Sequence, residues 1–317
     1  MTDMKVIIQI PCFNEEKTLP QTLADLPKSI KGIDEIEILV VNDGSSDRTT
    51  EVARENGVGH IVSFRKHRGL AAAFSEGLNK ALSLGADIVV NTDADNQYQA
   101  RFIPDLVDPI LRHEADIVIG CRPIKKMKDF SLLKKFLHLI GNRVVRRFTG
   151  LNISDATSGF RAYSREAALK LNIISEFTYT IESIIQASAK RIAIKTIPVE
   201  VNPKLRKSRL FSSMPQYITN SINTILRIYF MYKPLSLFSW LGGLLLIFSL
   251  ALLLRYLYFF FQGSGTGHVQ SVILAAAFLI IGSFVILLGI LANLMISSRI
   301  LQEETLYRIK KESLKKK

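Results

Sequence analysis

Between Pro234 and Ser298 the chain carries a single Asp, Glu, Lys or Arg, namely Arg255, and this constrains its fold more than any other feature. Two apolar runs, Leu235 to Phe261 and Val269 to Ile296, each exceed the ~20 residues that a helix needs to cross a bilayer. They are joined by Gln262-Gly263-Ser264-Gly265-Thr266-Gly267-His268, whose glycines favour a tight turn over continued helix. Core helices of soluble domains rarely stay this long without charge, so the expectation is a transmembrane hairpin. Its flanks are basic, with Lys204, Arg206, Lys207, Arg209, Arg227 and Lys233 before it and Arg299, Arg308, Lys310, Lys311 and Lys315 to Lys317 after it. The connecting turn carries no Lys or Arg, so both termini are expected in the cytoplasm. No apolar segment precedes the first polar motif, so no signal peptide is expected and the large N-terminal part belongs in the cytosol.

The formal net charge is +13. A basic excess fits nucleic acid, an anionic membrane surface or phosphorylated ligands, and its location separates them. Nine Lys or Arg and one acid, Asp129, fall between Arg122 and Arg147, and the other basic clusters flank the apolar runs. That distribution favours lipid headgroups or a lipid phosphate, and the interleaved aromatics of a nucleic-acid groove are absent, so no nucleic-acid partner is expected. Cys12 and Cys121 form no metal or redox spacing and are read as reduced thiols.

The remainder alternates between short Val/Ile-rich runs and amphipathic stretches. Strands are expected at Lys5 to Ile10, Ile36 to Val41, Ile88 to Val90 and Ile117 to Ile119, with helices at Thr18 to Leu26, Asp47 to Glu55, Leu70 to Leu84 and Ile103 to Arg112. This pattern predicts an α/β, mostly parallel sheet covered on both faces, whose ligand crevice lies beyond the carboxyl ends of the strands. The polar motifs sit at those ends: Pro11-Cys12-Phe13-Asn14-Glu15, Asn42-Asp43-Gly44-Ser45-Ser46-Asp47 and Asn91-Thr92-Asp93-Ala94-Asp95-Asn96-Gln97. Each could be turn and cap chemistry, but three converging on one edge are what a nucleotide site requires. Asp93 and Asp95, spaced i, i+2, can leave the strand on one side, where hard oxygen ligands suit Mg²⁺ or Mn²⁺ and a diphosphate. A dinucleotide-binding Gly-x-Gly-x-x-Gly and a P-loop are both missing, so the nucleotide must be held differently.

With Gly69-Leu70-Ala71-Ala72-Ala73-Phe74 and Asp155-Ala156-Thr157-Ser158-Gly159-Phe160-Arg161 added, the set resembles family 2 glycosyltransferases, in the polyprenyl-phosphate (dolichyl- and undecaprenyl-phosphate) branch, over roughly residues 5 to 210. The resemblance implies a GT-A, Rossmann-like fold, a nucleoside pocket lined by Pro11, Phe13, Glu15, Val41 and Asp43, and a metal and diphosphate facing Asp93, Asp95 and Gln97. Asp43 would accept a hydrogen bond from the base. Asn42 departs from relatives that carry a second Asp there.

Transfer from a nucleotide sugar needs a stabilised diphosphate leaving group, which a divalent metal supplies. A lipid phosphate monoester, with second pKa near ~6, is already largely ionised at neutral pH, so a strong general base is dispensable. The acceptor needs cations instead, and Arg122, Arg143 and Arg161 are the candidates, with Lys204, Arg206 and Arg209 as a closing loop. Asp155 is expected to orient the acceptor or an arginine, with a catalytic-base role as the weaker alternative. The organisation expected is a catalytic domain over 1–210, an amphipathic juxtamembrane helix over 211–233, two spans over 234–298 and a basic cytosolic tail over 299–317. The expected product is a polyprenyl-phosphate sugar made with inversion on the cytosolic face, from UDP-glucose, UDP-N-acetylglucosamine or GDP-mannose, with resemblance favouring UDP. Relatives' membrane association makes a homo-oligomer an open expectation. A processive polysaccharide synthase would want a Gln-x-x-Arg-Trp motif, whereas the sole tryptophan, Trp240, lies in the first apolar run. Against a noncatalytic nucleotide-binding scaffold stand the intact Asp93, Asp95 and Asp43.

Overall fold

The computed structural model describes residues 3–124, 132–174, 179–203, 219, 223 and 234–315. The chain divides into two compact units, Met1–Ile218 with Leu306–Lys317, and Thr219–Thr305.

The first unit is built on seven strands, β1 (Lys5–Cys12), β2 (Glu35–Asn42), β3 (His60–Ser63), β4 (Ile88–Asn91), β5 (Ile117–Cys121), β6 (Arg161–Ser164) and β7 (Ile194–Pro198). They lie in the order β3-β2-β1-β4-β6-β5-β7. All neighbours pair in parallel except β6, which runs antiparallel to β4 and β5. The helices are α1 (Leu19–Ala24), α2 (Thr49–Glu55), α3 (Leu70–Ser83), α4 (Ile103–Leu111), α5 (Leu132–Thr149), α6 (Arg165–Lys170) and α7 (Thr180–Ala189). Side chains alternate across the sheet. Ile8, Ile10, Val40, Val90 and Val118 enter a core with α1 and α4, whereas Ile7, Leu39, Val41, Val89 and Ile119 enter one with α3, α6 and α7. Both faces are covered, which is why the central strands read as continuous apolar runs.

The strands and helices expected from the sequence are present with ends shifted by one or two residues. β3, β6 and β7 were not expected, because His-Ile-Val-Ser, Arg-Ala-Tyr-Ser and Ile-Lys-Thr-Ile-Pro lack an apolar run. The reversal at β6 has a functional consequence. Its first residue, Arg161, pairs with the last residue of β4, Asn91. The Asp155–Phe160 segment is thereby delivered to the edge where β1, β2, β4 and β5 end.

The second unit is a hairpin of α8 (Pro234–Phe261) and α9, whose helix runs Val269–Lys315, joined by a 3₁₀ turn at Gly265–His268. Both helices are long and apolar enough to cross a membrane. Small residues let the backbones approach: a Cβ on Gly242 would meet Ile286 Cγ1 at 2.5 Å and the Gly282 carbonyl at 2.8 Å, and one on Gly289 would meet Phe238 Cβ at 2.7 Å. Ser249 Oγ donates to the Ala275 carbonyl at 2.7 Å, satisfying a hydroxyl that is 6% exposed. Of the expected juxtamembrane helix over 211–233, only Thr219 and Asn223 fall within the described residues.

Over the expected basic tail, 299–317, α9 continues unbroken to Lys315, and its end from Leu306 belongs to the first unit. There Tyr307 Oη donates to Glu166 Oε1 at 2.7 Å, Lys311 Nζ lies 2.8 Å from Tyr307 Oη, and Lys310 Nζ donates to Asn172 Oδ1 at 3.0 Å. Tyr307 and Leu314 pack against the core beneath α3, α6 and α7. Tyr307→Phe removes the hydroxyl that bonds both Glu166 and Lys311 and is expected to cost about 1 kcal/mol, read as a lowered melting temperature of the full chain in detergent.

Candidate active site

The site is assembled by three loops at the carboxyl edge of the sheet, each fixed by side chains of its neighbours. After β1, Asn14 takes φ 57°, and its Oδ1 accepts the Ser46 N–H at 2.8 Å while its own N–H donates to Ser45 Oγ at 2.9 Å. After β2, Asn42 uses both ends of its amide: Oδ1 accepts from Ser45 N at 3.0 Å and Nδ2 donates to Thr50 Oγ1 at 2.7 Å. Asn42 thereby ties the loop after β2 to the start of α2.

Asp43 is 3% exposed and holds a third element. Its Oδ1 accepts Arg68 N–H at 2.7 Å, its Oδ2 accepts Gly69 N–H at 2.9 Å, and His67 Nδ1 lies 2.9 Å from Oδ2. The Arg65-Lys66-His67-Arg68 loop is thus pinned beside the strand ends, with His67 against the Phe13 ring at 4.1 Å between centroids. Gly44 (φ 68°) must be glycine, since a Cβ there would meet backbone atoms of Lys66 and His67 at 2.6 Å. This basic loop was missed in the sequence. Its signal was His67-Arg68-Gly69 directly before α3.

Of the residues expected to line a nucleoside pocket, Phe13 is half-exposed at the mouth, while Pro11 and Glu15 are buried. The Glu15 carboxylate accepts from Thr18 Oγ1 at 2.7 Å. Val41 is corrected: it has no exposed surface and packs under α3, so its side chain supports the pocket floor and does not line it.

Asp93 and Asp95 are both half-exposed, and Ala94 between them is 3% exposed in the core, so the two carboxylates leave the loop on its solvent side. The loop is tied on every side. Thr22 Oγ1 donates to the Ala94 carbonyl, Asn96 Nδ2 to Asp25 Oδ2, and Asn202 Nδ2 to the Asn96 carbonyl. Gln97 is half-exposed; its carbonyl accepts from Asn202 N and its N–H donates to Asp95 Oδ1. Beneath Asp93 lies Gly159, where a Cβ would meet Tyr179 Oη at 2.9 Å and Asp93 Oδ1 at 3.0 Å. Burial and then the Asp93 charge raise the Tyr179 pKa well above the phenol range, and burial pushes the neighbouring Tyr98 up to about 12, so both stay protonated hydrogen-bonding groups.

Among the described residues no three His, Cys, Asp or Glu gather as a metal cluster. Two carboxylates on one rigid loop, with an amide nearby, are nevertheless a fitting donor set for Mg²⁺ or Mn²⁺, which keep waters and take further oxygens from a diphosphate. They do not fit a closed structural zinc site.

The acceptor-side candidates separate clearly. Arg122 is 11% exposed, with Nε donating to Asp155 Oδ2 at 2.7 Å and Nη2 to Asp155 Oδ1 at 3.1 Å and Thr157 Oγ1 at 3.0 Å. Its Nη1 has no hydrogen-bond partner among the described residues, and the guanidinium lies 5.8 Å from the Tyr98 ring. Arg143 is exposed on α5. Arg161 is corrected: it is fully buried, donating to the carbonyls of Ser158, Thr180 and Ala156 and to Ser183 Oγ, so it crosslinks α7 to the loop before β6 and leaves acceptor binding to others. Lys204, Arg206 and Arg209 lie outside the described residues.

Asp155 as a catalytic base is also corrected. Burial alone would raise its pKa, but the Arg122 guanidinium and the hydrogen bond from His138 more than offset this and hold it well below the carboxylate range. Arg122, His138 and Thr157 all meet its two oxygens. His138, on α5 and in none of the motifs, was missed.

A mostly parallel sheet with this loop set is the GT-A architecture. The family model for Glycosyl transferase family 2 matches residues 7–171. The chain therefore belongs to that family and is a glycosyltransferase. It is 31% identical over 62% of its length to an undecaprenyl-phosphate mannosyltransferase of Micrococcus luteus, covering 83% of that protein. It is 29% identical over 91% of its length to an undecaprenyl-phosphate 4-deoxy-4-formamido-L-arabinose transferase of Photorhabdus laumondii, covering 88% of it. Among solved structures, glucosyl-3-phosphoglycerate synthase from Mycobacterium tuberculosis with Mn²⁺, UDP and glucosyl-3-phosphoglycerate shares the fold, at TM-score 0.56 and 19% identity over 71% of this chain and 78% of that one.

Two outcomes follow from the geometry. Gly159→Ala forces Asp93 or Tyr179 to move and is expected to lower sugar transfer at least ~10-fold, with the circular-dichroism spectrum unchanged. Because the folded pKa of Asp155 lies below its unfolded value, its stabilisation is present above about pH 4 and is lost as pH falls through the folded value. Asp155→Asn is therefore expected to cost about 3–5 kcal/mol at neutral pH, and the pH–rate profile of the unmodified enzyme to show no ionisation of Asp155 between about pH 5 and 9.

Proposed function

We propose that this glycosyltransferase moves a hexose from a nucleotide sugar to a polyprenyl phosphate at the cytosolic face of a membrane. The observation that carries the acceptor assignment is Arg122. A buried carboxylate fixes one edge of its guanidinium while Nη1 keeps two N–H donors without a protein partner among the described residues. A phosphate monoester presents oxygens that such a fork binds, and being already anionic it asks for no strong base. That agrees with a site whose nearest buried carboxylate is too strongly paired to take a proton.

Further support comes from α5, which exposes Phe136, Leu139 and Ile140 together with Arg143, Arg146 and Arg147, a face suited to lipid chains and anionic headgroups. The relatives named for undecaprenyl-phosphate acceptors agree in substrate class. The apolar hairpin would supply the anchor, and the basic flanks support a cytoplasmic position for both termini.

On the donor side, Phe13 and the loop held by Asp43 flank the base. Asp93, Asp95 and Gln97 would hold a divalent metal, and when bound that ion neutralises charge developing on the leaving diphosphate. The protein's own part is to present a phosphate oxygen to the anomeric carbon opposite the leaving group, so that direct displacement inverts the configuration. A UDP-sugar is the favoured donor; membrane segments of the hairpin offer a route to self-association.

The test incubates detergent-purified protein with polyprenyl phosphate, Mg²⁺ or Mn²⁺ and each of UDP-glucose, UDP-N-acetylglucosamine and GDP-mannose, with lipid products read by mass spectrometry. One donor is expected to give a hexosyl phospholipid that chelator abolishes, and Asp95→Ala is expected to lower its rate at least about 100-fold. Absence of a lipid product from every donor, with nucleotide still bound, would refute the acceptor.

A further inference from the structure

His138 belongs to no recognised motif and to none of the reacting groups, yet it is one of the most completely bonded side chains near the site. Its side chain is 4% exposed. Nε2 lies 3.1 Å from Asp155 Oδ1 and 3.2 Å from Thr157 Oγ1, and Nδ1 lies 3.0 Å from Asn142 Nδ2. The orientation of Asn142 is fixed by its other neighbours: Oδ1 accepts the Ala156 N–H at 3.1 Å, and Nδ2 also donates to the Ser154 carbonyl. Since Nδ2 carries only hydrogens, Nδ1 of His138 must accept from it. The ring proton therefore sits on Nε2 and is donated to Asp155. His138 and Asn142 are four residues apart on one face of α5, so this helix grips the Ser154–Thr157 loop with two side chains.

We infer that His138 is a positioning residue for the acceptor phosphate: its Nε2–H occupies Asp155 Oδ1, so that the carboxylate fixes Arg122 by one edge and leaves Nη1 for the lipid phosphate. The argument is one of orientation. Asp155 has no exposed surface, and its donors lie inside the protein: besides His138, Oδ1 accepts from Arg122 Nη2 and from the Thr157 N–H and hydroxyl, and Oδ2 from Arg122 Nε and N–H. All of these other donors come from Arg122 itself or from the loop that carries Asp155, so the imidazole is the one that ties the carboxylate to α5. Without it, the carboxylate would swing with its loop and carry the Arg122 fork, Nη1 included, away from the acceptor. His138 is no general base itself, because Nε2 donates and the Nδ1 lone pair is taken by Asn142.

This inference rests on the acceptor reading given above, so its test has one arm that depends on turnover and one that does not. In the first, initial rates of the full chain in detergent are measured against polyprenyl phosphate and against nucleotide sugar, with nucleotide diphosphate binding and the melting temperature followed in parallel. His138→Phe keeps the ring and removes the N–H. It is expected to raise the acceptor KM about tenfold, with donor KM and nucleotide affinity unchanged within about twofold. His138→Gln restores a donor and is expected to recover most of the loss. An unchanged acceptor KM in His138→Phe overturns the inference. So does a parallel loss of donor and acceptor parameters with falling melting temperature that His138→Gln fails to relieve, which would mark a merely structural residue.

The second arm is ¹⁵N NMR of ring-labelled histidine in the unmodified protein, assigned by the signal lost in His138→Gln. A neutral ring protonated on Nε2 is expected. Protonation on Nδ1 or on both nitrogens at neutral pH overturns the inference whatever the enzyme turns over. A correct tautomer together with no transfer to any lipid phosphate would instead refute the proposed acceptor and, with it, the acceptor role of His138, leaving only its bond to Asp155.

Discussion

Everything at the carboxyl edge hangs on a buried chain of amides and a phenol. Asn91, the last residue of β4, accepts from Gln9 Nε2 at 2.9 Å and donates to the Gly159 carbonyl at 2.8 Å and to Tyr179 Oη at 2.9 Å. None of these residues carries charge, and each buried group left unpaired would cost about 1–3 kcal/mol. The chain ties β1 to β4, β4 to the loop before β6, and that loop to the start of α7. Tyr179 in turn stacks on Phe74 of α3 with centroids 3.8 Å apart, and Phe74 is fully buried. The two acidic residues that follow β4 therefore stand on a platform drawn from five elements. Their rigidity is inherited from neutral hydrogen bonds below them.

Two arginines show how burial divides labour in such a site. Arg161 and Arg122 are both held by the 155–160 segment, yet the first faces carbonyl oxygens and a hydroxyl alone, whereas the second faces a carboxylate. A cation wrapped in carbonyl dipoles is a crosslink. Its positive charge is used up in holding α7, and no route leads from it to solvent. A cation paired along one edge is oriented and still has donors to offer. Burial alone would lower the Arg122 pKa, but the groups facing it, Tyr98, Asp155 and Asp93, more than offset this and keep its charge permanently on, which is the condition a phosphate ligand needs.

Much of this was legible in the chain. The apolar runs gave the hairpin and the four central strands, and the polar segments at their ends gave the edge where the chemistry lies. What could not be read was anything set by long-range pairing. β6 is four residues of mixed polarity, and its direction follows from neighbours 70 residues away in β4. The same holds for Arg161: a lone arginine after Gly159-Phe160 looks like a phosphate ligand until the carbonyls of α7 are placed around it. Asp155 stood in a recognisable segment, but its partner His138 sits 17 residues earlier on a helix with no motif. Val41 was assigned to a pocket by the family resemblance, and strand alternation turns its side chain into the core under α3.

One more consequence follows at Ala94, in the turn after β4. The residue is in the core, its carbonyl taken by Thr22 and its methyl by the α1 and α4 side of the sheet. The carboxylates on either side stand outside that core, and the spacing between them is a property of the backbone before it is one of chemistry. A single residue added or removed here would press an acid toward the place among Ile10, Val90 and Ile103 that Ala94 fills, where an ionised group cannot survive without a partner. Exchange of side chains at these positions alters a ligand, whereas a change in chain length would unseat the loop.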